Sequence, residues 1–407
     1  MTNVGVVLSG GGARGAYEVG VLKGVCEALD RPRGSPSPYN VVSGTSVGAI
    51  NGAWLAANAH RHDHCVDELA ALWRSLKLEE HLRVDLKGLI AWTNPLRALR
   101  KRLPRDEDGP VDLGRSVLNP RALEDMVAVG VDWTQLHVNL REGHLRALVV
   151  AALHIGTGTT TLFGELAPGV DFKATRSAHR VFKKTLIDAE HVLASAAIPA
   201  LFPARRIGRS YFSDGGLRFN TPISPAIRAG ADKLVVITLR HEATVMPNVD
   251  APGDSTSQYP SLVFLAGKLF NALLLDPVTS DLAVLQRFNR LVEVIDEGMS
   301  PAERARVDRV MEQERGMAYR RIPTLVFEPS KNVGVLAGEH LRRHSGRWNK
   351  GRLYELLLAR AAHVESTWEA DLASYLMFDG SWAETLIELG RADALAKRDE
   401  VRAFFAA

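Results

Sequence analysis

Val4-Gly5-Val6-Val7-Leu8-Ser9-Gly10-Gly11-Gly12-Ala13-Arg14-Gly15 is a short apolar run that breaks into glycine. A run of this length, ended by a turn signal, predicts a buried strand over Val4 to Ser9. Gly15 to Leu29 follows, with Val21, Leu22, Val25 and Leu29 at helical spacing. A turn-rich link, Arg31 to Pro38, leads to a second short strand, Tyr39 to Ser43. Val47 to Ala59 then reads as a helix rich in small residues. Strand, helix, strand, helix at this spacing predicts an α/β fold with a mostly parallel sheet and crossover helices.

Residues 61–139 interrupt that rhythm with amphipathic stretches and a basic segment, Leu96 to Arg105. Strand patterns return at Leu145 to His154 and Thr159 to Glu165. A helix over His191 to Ala197 runs into a Pro-bounded loop, and Tyr211 to Ser213 is a short extended piece. Ile223 to Ala229 is helical, and Leu234 to Leu239 is an apolar strand. Thr244 to Pro260 has the composition of a loop. Beyond it the pattern is mainly helical, broken by one strand at Thr324 to Phe327. The expected organisation is a domain over 1–243, with an insertion over 61–139, and a mainly helical region over 259–407.

The 407 residues are 46% hydrophobic and 24% charged, which places the chain among ordinary globular proteins. A formal net charge of +3 is too small to argue for a nucleic-acid partner. It leaves room for a local basic patch to meet an anionic membrane. The two cysteines, Cys26 and Cys65, make no disulfide framework and fit a reducing compartment. No signal peptide and no apolar run of about 18 residues is visible. The expected location is cytoplasmic or peripheral to a membrane.

Three motifs carry chemistry. Gly10 to Gly15 also fits the dinucleotide fingerprint through Gly10, Gly12 and Gly15. That use requires an acidic residue at the end of the next strand. Here the strand ends Val41-Val42-Ser43-Gly44-Thr45-Ser46, without a carboxylate. The alternative is an anion-binding loop: successive glycines let backbone amides converge before a helix. Such donors suit the oxyanion of acyl transfer. Arg14 either adds positive charge there or fixes the loop.

The second motif is Gly44-Thr45-Ser46-Val47-Gly48, a G-x-S-x-G between strand and helix. Its glycines relieve crowding around a sharply turned serine. The third is Asp214-Gly215-Gly216 at a strand end, a carboxylate with little steric cover. Alone, it reads rather as a turn aspartate bonded to its own backbone.

Together these motifs resemble the patatin-like phospholipase family. Gly10 to Gly15 match its glycine-rich loop, Gly44 to Gly48 its serine elbow, and Asp214 to Gly216 its D-G-[GA] motif. Ala194 to Pro203 and Asn220-Thr221-Pro222 are similar to family stretches flanking the aspartate. The resemblance covers Val4 to Leu239. It implies a three-layer α/β/α fold and a Ser–Asp dyad, with Ser46 as nucleophile and Asp214 as base. It further implies an oxyanion site at Gly10, Gly11, Gly12 and Arg14, with Gly15, Gly44, Gly48, Gly215 and Gly216 in support. No metal or cofactor is called for. The expected substrate is a lipid or acyl ester, cleaved in the manner of a phospholipase A, lysophospholipase or esterase. Acyl transfer through the same dyad, or lipid binding without catalysis, are the alternatives. The tail around Ser374 to Gly380 also resembles extensions of some bacterial members.

Other residues compete for roles. A Ser–His–Asp triad would enlist His241, just past the strand ending at Leu239. His60, His62 and His64 alternate, as a chance metal site could. Leu86 to Leu103 combines apolar residues, Trp92 and basic residues, as a helix docked on the core with a solvated basic face would, or as a lid meeting a bilayer would. Arg205, Arg206 and Arg209 form a second basic cluster.

Overall fold

A computed structural model describes residues 2–32, 34–77, 83–84, 118–119, 121–173, 177–199, 201–241, 262–272, 276–344 and 370–406. The lid expected at Leu86 to Leu103 and the loop over 244–260 lie outside the described residues.

Nine strands form one sheet: β1 (Val4–Leu8), β2 (Val41–Thr45), β3 (Ala147–His154), β4 (Thr159–Leu166), β5 (Arg180–Lys184), β6 (Arg205–Ile207), β7 (Ser210–Asp214), β8 (Lys233–Ile237) and β9 (Thr324–Phe327). The main order is β9-β8-β1-β2-β3-β4-β5, with β7 pairing β3 and β6 pairing β7. From β9 through β3 every pair is parallel. The β3–β4 and β3–β7 pairs are antiparallel. Arg83–Val84 and Leu118–Asn119 form a separate two-residue ladder.

The helices are α1 (Ala16–Leu29), α2 (Val47–Ala57), α3 (His62–Arg74), α4 (Arg121–Gly130), α5 (Trp133–Arg141), α6 (Ala189–Ser195), α7 (Ile223–Arg228), α8 (Leu262–Phe270), α9 (Asp276–Gly298), α10 (Pro301–Arg315), α11 (Val333–His344), α12 (Asp371–Leu376), α13 (Gly380–Ala396) and α14 (Arg398–Ala406). Successive side chains of a strand point to opposite faces. Val6, Leu8, Val42 and Val150 accordingly join a core with α1 and α2. Val7, Val41, Val149 and Val236 join another with Ile223 and Ala226 of α7. The result is the expected three-layer α/β/α arrangement with helices on both faces of a mostly parallel sheet.

The C-terminal region is built into this fold. β9 extends the central sheet beside β8, with Leu234 opposite Thr324. Leu325, Tyr375, Trp382 and Leu386 share one core cluster with Val6, Tyr17 and Leu22. α13 lies against α1 at glycine: a Cβ on Gly20 would fall 2.1 Å from the Ile387 carbonyl oxygen. From the other side, one on Gly390 would fall 2.3 Å from the Tyr17 carbonyl oxygen. Small residues at both faces let the helix backbones touch, which multiplies dispersion contacts along the crossing.

Candidate active site

The site lies where β1 and β2 end. Ser46 follows β2 directly, with φ 55° and ψ −127°, a left-handed conformation that costs a non-glycine residue energy. Surrounding contacts hold it there. A Cβ on Gly44 would meet the Gly48 carbonyl oxygen at 2.3 Å, and one on Gly48 would meet the Leu8 carbonyl oxygen at 2.4 Å. Both glycines of the elbow are therefore required by close backbone approach. The Ser46 amide donates to Ser195 Oγ (2.9 Å), and the Ser195 hydroxyl donates to the Ala151 carbonyl (2.6 Å). Ser195, on α6, thus braces the elbow against β3.

Asp214 ends β7, opposite Ala152 of β3. Its amide donates to the Ala197 carbonyl (2.8 Å), and its Oδ1 accepts from the Gly216 amide (2.7 Å). Complete burial pushes its pKa up to about 7, against the stabilising pull of the Ser46 hydroxyl and the Gly216 amide. Oδ2 makes no well-aligned hydrogen bond among the described residues. The Ser46 hydroxyl is near enough to act on the carboxyl electrostatically without a full bond. That is ordinary for an acid–base pair without substrate. The turn-aspartate contact to Gly216 exists, and it uses only one of the two oxygens.

The loop after Asp214 is stitched to the strand ends. Thr45 donates to the Phe219 carbonyl and Ser43 to the Pro222 carbonyl, and the Ser9 and Thr221 hydroxyls hydrogen-bond to each other, each at 3.0 Å. Asn220 Nδ2 donates to the Gly10 carbonyl (3.0 Å), and the Gly10 amide donates to the Asn220 carbonyl (3.3 Å). Asn220 Oδ1 is buried without a partner among the described residues. It lies so near Gly10 that a Cβ there would stand 2.3 Å from it and 3.0 Å from Ser46 Cβ. Glycine at position 10 is what lets the loop, the elbow and Asn220 meet.

The glycine loop divides into engaged and open donors. The Gly10 amide is engaged with Asn220, and the Arg14 amide donates to the Gly11 carbonyl (3.2 Å). Among the described residues the Gly11 and Gly12 amides have no acceptor. The Arg14 guanidinium is buried against α12, donating to Ser374 and Asp371. Of the four residues expected to hold an oxyanion, Gly10 and Arg14 therefore have their donors committed elsewhere. The Arg14 side chain is held by α12.

Behind the loop, Glu18 accepts from the Ser9 amide (2.8 Å) and from Asn51 Nδ2 (2.8 Å). Burial nevertheless pushes its carboxyl up to about 8. Glu18, Asn51, Ser195, Asn220, Asp371 and Ser374 were not among the predicted site residues. Asn51 carried a usable signal, since it is a polar residue inside the otherwise apolar, small-residue helix α2.

The competing residues are placed elsewhere. His241 donates from Nδ1 to the Pro329 carbonyl (2.8 Å), a C-terminal contact. Arg205 is paired with Glu124 and Glu190, so the second basic cluster is partly neutralised within the fold. Among the described residues no group of three His, Cys, Asp or Glu side chains is placed to hold a metal ion. No described helix is long and apolar enough to cross a membrane.

A sharply turned serine at a strand-to-helix junction, with a carboxyl beside it, defines an α/β protein with a serine elbow. The Patatin-like phospholipase family model matches residues 6–227, more than half of the chain. The chain belongs to that family.

Two curated proteins named Lysophospholipase nte1 are similar over 78 residues, at 38% identity in Aspergillus terreus and 37% in Aspergillus oryzae. Each match covers 18% of this chain and only 5% of the relative. Among solved structures, human GIVD cytosolic phospholipase A2 bound to methyl gamma-linolenyl fluorophosphonate aligns at 13% identity. That alignment covers 100% of this chain and 58% of the other, with a TM-score of 0.42. VipD from Legionella pneumophila aligns at 12% identity over 95% of this chain and 67% of its own, with a TM-score of 0.31.

Proposed function

We propose that this protein is a lipid acyl hydrolase that cleaves carboxylic esters through Ser46 and Asp214. The observation that carries this is the pairing itself. A strained, buried serine stands beside a buried carboxyl with one unpartnered oxygen, next to two open backbone amides. Family membership supplies the lipid ester as the substrate class.

In the proposed sequence Asp214 takes the proton from Ser46 Oγ as that oxygen attacks the ester carbonyl carbon. The carbonyl oxygen becomes an oxyanion, held by the Gly11 and Gly12 amides. Collapse breaks the ester C–O bond, and Asp214 returns the proton to the leaving alcohol. The acyl group is left on Ser46. Asp214 then deprotonates a water, which attacks the acyl-enzyme. The carboxylic acid leaves, and the proton returns to Ser46. The aspartate acts without a histidine because burial lifts its pKa to about 7, where it can hold a proton transiently at neutral pH.

The test is a panel of phospholipids, lysophospholipids, glycerides and soluble esters, with released fatty acid measured by mass spectrometry. Wild type is expected to release fatty acid from at least one class, and Ser46→Ala to release none above background. Equal release by both proteins would overturn the proposal.

A further inference from the structure

The C-terminal segment reaches the glycine loop through three side chains. Arg14 Nε donates to Ser374 Oγ (2.7 Å), and Arg14 Nη2 donates to Asp371 Oδ1 (2.9 Å). Its guanidinium stacks over the Tyr375 ring, 4.2 Å from the centroid. The Ser374 hydroxyl passes its own proton donation to the Asp371 carbonyl (2.5 Å). Arg14, Asp371, Ser374 and Tyr375 are all buried. The other Asp371 oxygen faces Lys268 of α8 at 3.2 Å.

The backbone is clamped at the same point. Gly12 has φ +58°, and a Cβ on it would fall 2.4 Å from the Tyr375 carbonyl oxygen. Arg14 also closes the turn through the hydrogen bond its backbone N–H donates to the Gly11 carbonyl. The two open amides, Gly11 and Gly12, therefore sit between a backbone turn and a side-chain clamp that share one residue. A guanidinium bonded at two positions is directionally fixed in a way a single ion pair is not.

We infer that Asp371 and Ser374 are positioning residues for the oxyanion loop, supplied by the C-terminal region and acting through Arg14. This rests on Ser46 and Asp214 performing the ester cleavage proposed above. Oxyanion donors contribute only when they are preorganised, and losing one such donor costs on the order of 10²–10³ in turnover. Loosening the clamp misaims donors without removing them. The expected effect is a fall in kcat of about tenfold, with KM nearly unchanged, because the loss falls on the transition state.

The experiment compares full-length wild type with Ser374→Ala, Asp371→Asn, Arg14→Lys and the Arg14→Lys/Asp371→Asn pair. The readouts are kcat and KM on a soluble p-nitrophenyl ester, the rate of fluorophosphonate labelling, and melting temperature. Ser374→Ala and Asp371→Asn should each slow kcat and labelling about tenfold while remaining folded. The pair should be no slower than the worse single variant, since both act on one clamp. Ser374→Ala removes a single oxygen and carries the test if Asp371→Asn does not fold. Folded variants with wild-type kcat and labelling rate would overturn the inference. So would a change confined to KM. A wild type with neither turnover nor labelling would overturn the proposed hydrolysis, and the clamp's role with it.

Discussion

Asp214→Asn is expected to cut ester turnover roughly a hundred- to ten-thousand-fold, the range contributed by a general base. The same change should raise stability at alkaline pH. In the unfolded chain the carboxyl titrates near 3.8, and in the fold near 7. Between those values the folded state keeps a proton that the unfolded state has lost. Stability therefore falls as pH rises through this window, and the loss is complete above about 7. Asparagine keeps the acceptor for the Gly216 amide and carries no charge to bury. The variant should melt higher than wild type at pH 8, by a few degrees. The gap should close as pH is lowered toward 4. In wild type the ionised form is the active base, so kcat/KM on a soluble ester should climb through about pH 7 and level off above it. Near-normal turnover in Asp214→Asn together with an inactive His241→Ala would instead favour a histidine-based triad.

Gly20→Ala is expected to destabilise the protein by on the order of 2–3 kcal/mol, as over-packing does in a filled interior. The sign is informative. In a helix interior, replacing glycine by alanine ordinarily gains about 1 kcal/mol. Here the added carbon would stand 2.1 Å from a backbone oxygen of α13, which cannot rotate away as a side chain could. Gly298, in α9, has nothing within 4 Å of the same added carbon, so Gly298→Ala should be neutral or stabilising. Chemical denaturation of both variants checks the pair. A Gly20→Ala variant as stable as wild type would show that α1 and α13 do not pack at this crossing.

That crossing also marks where sequence stopped being informative. The β1-α1-β2-α2 start was legible because apolar runs alternate with helical spacing and are punctuated by glycine. Thr324 to Phe327 was legible as a strand, but its place beside β8 was not, because sequence does not encode which edge a late strand joins. β5, Arg180-Val181-Phe182-Lys183-Lys184, was missed because an edge strand half open to solvent carries charge and no clean alternation. The helix expected from His191 begins earlier, at Ala189, where the Asp188 side chain caps the His191 amide.

The candidate site followed the same division. Ser46 and Asp214 lie 168 positions apart in sequence, and only their motif contexts joined them before the fold did. The Arg14 side chain bonds to α12 of the C-terminal region. Its partners, Asp371 and Ser374, lie 357 and 360 positions away. No local pattern marks such a contact. The domain division at 243 and 259 followed a change in composition, yet the two regions share a sheet and a core.

The claim that Ser46 is the nucleophile has a direct measurement. Wild-type protein is incubated with a fluorophosphonate probe, digested, and mapped by mass spectrometry. One phosphonylated site is expected, on Ser46, absent from Ser46→Ala and strongly slowed in Asp214→Asn. No labelling of wild type under conditions that label a known serine hydrolase, or labelling at another residue that persists in Ser46→Ala, would contradict it.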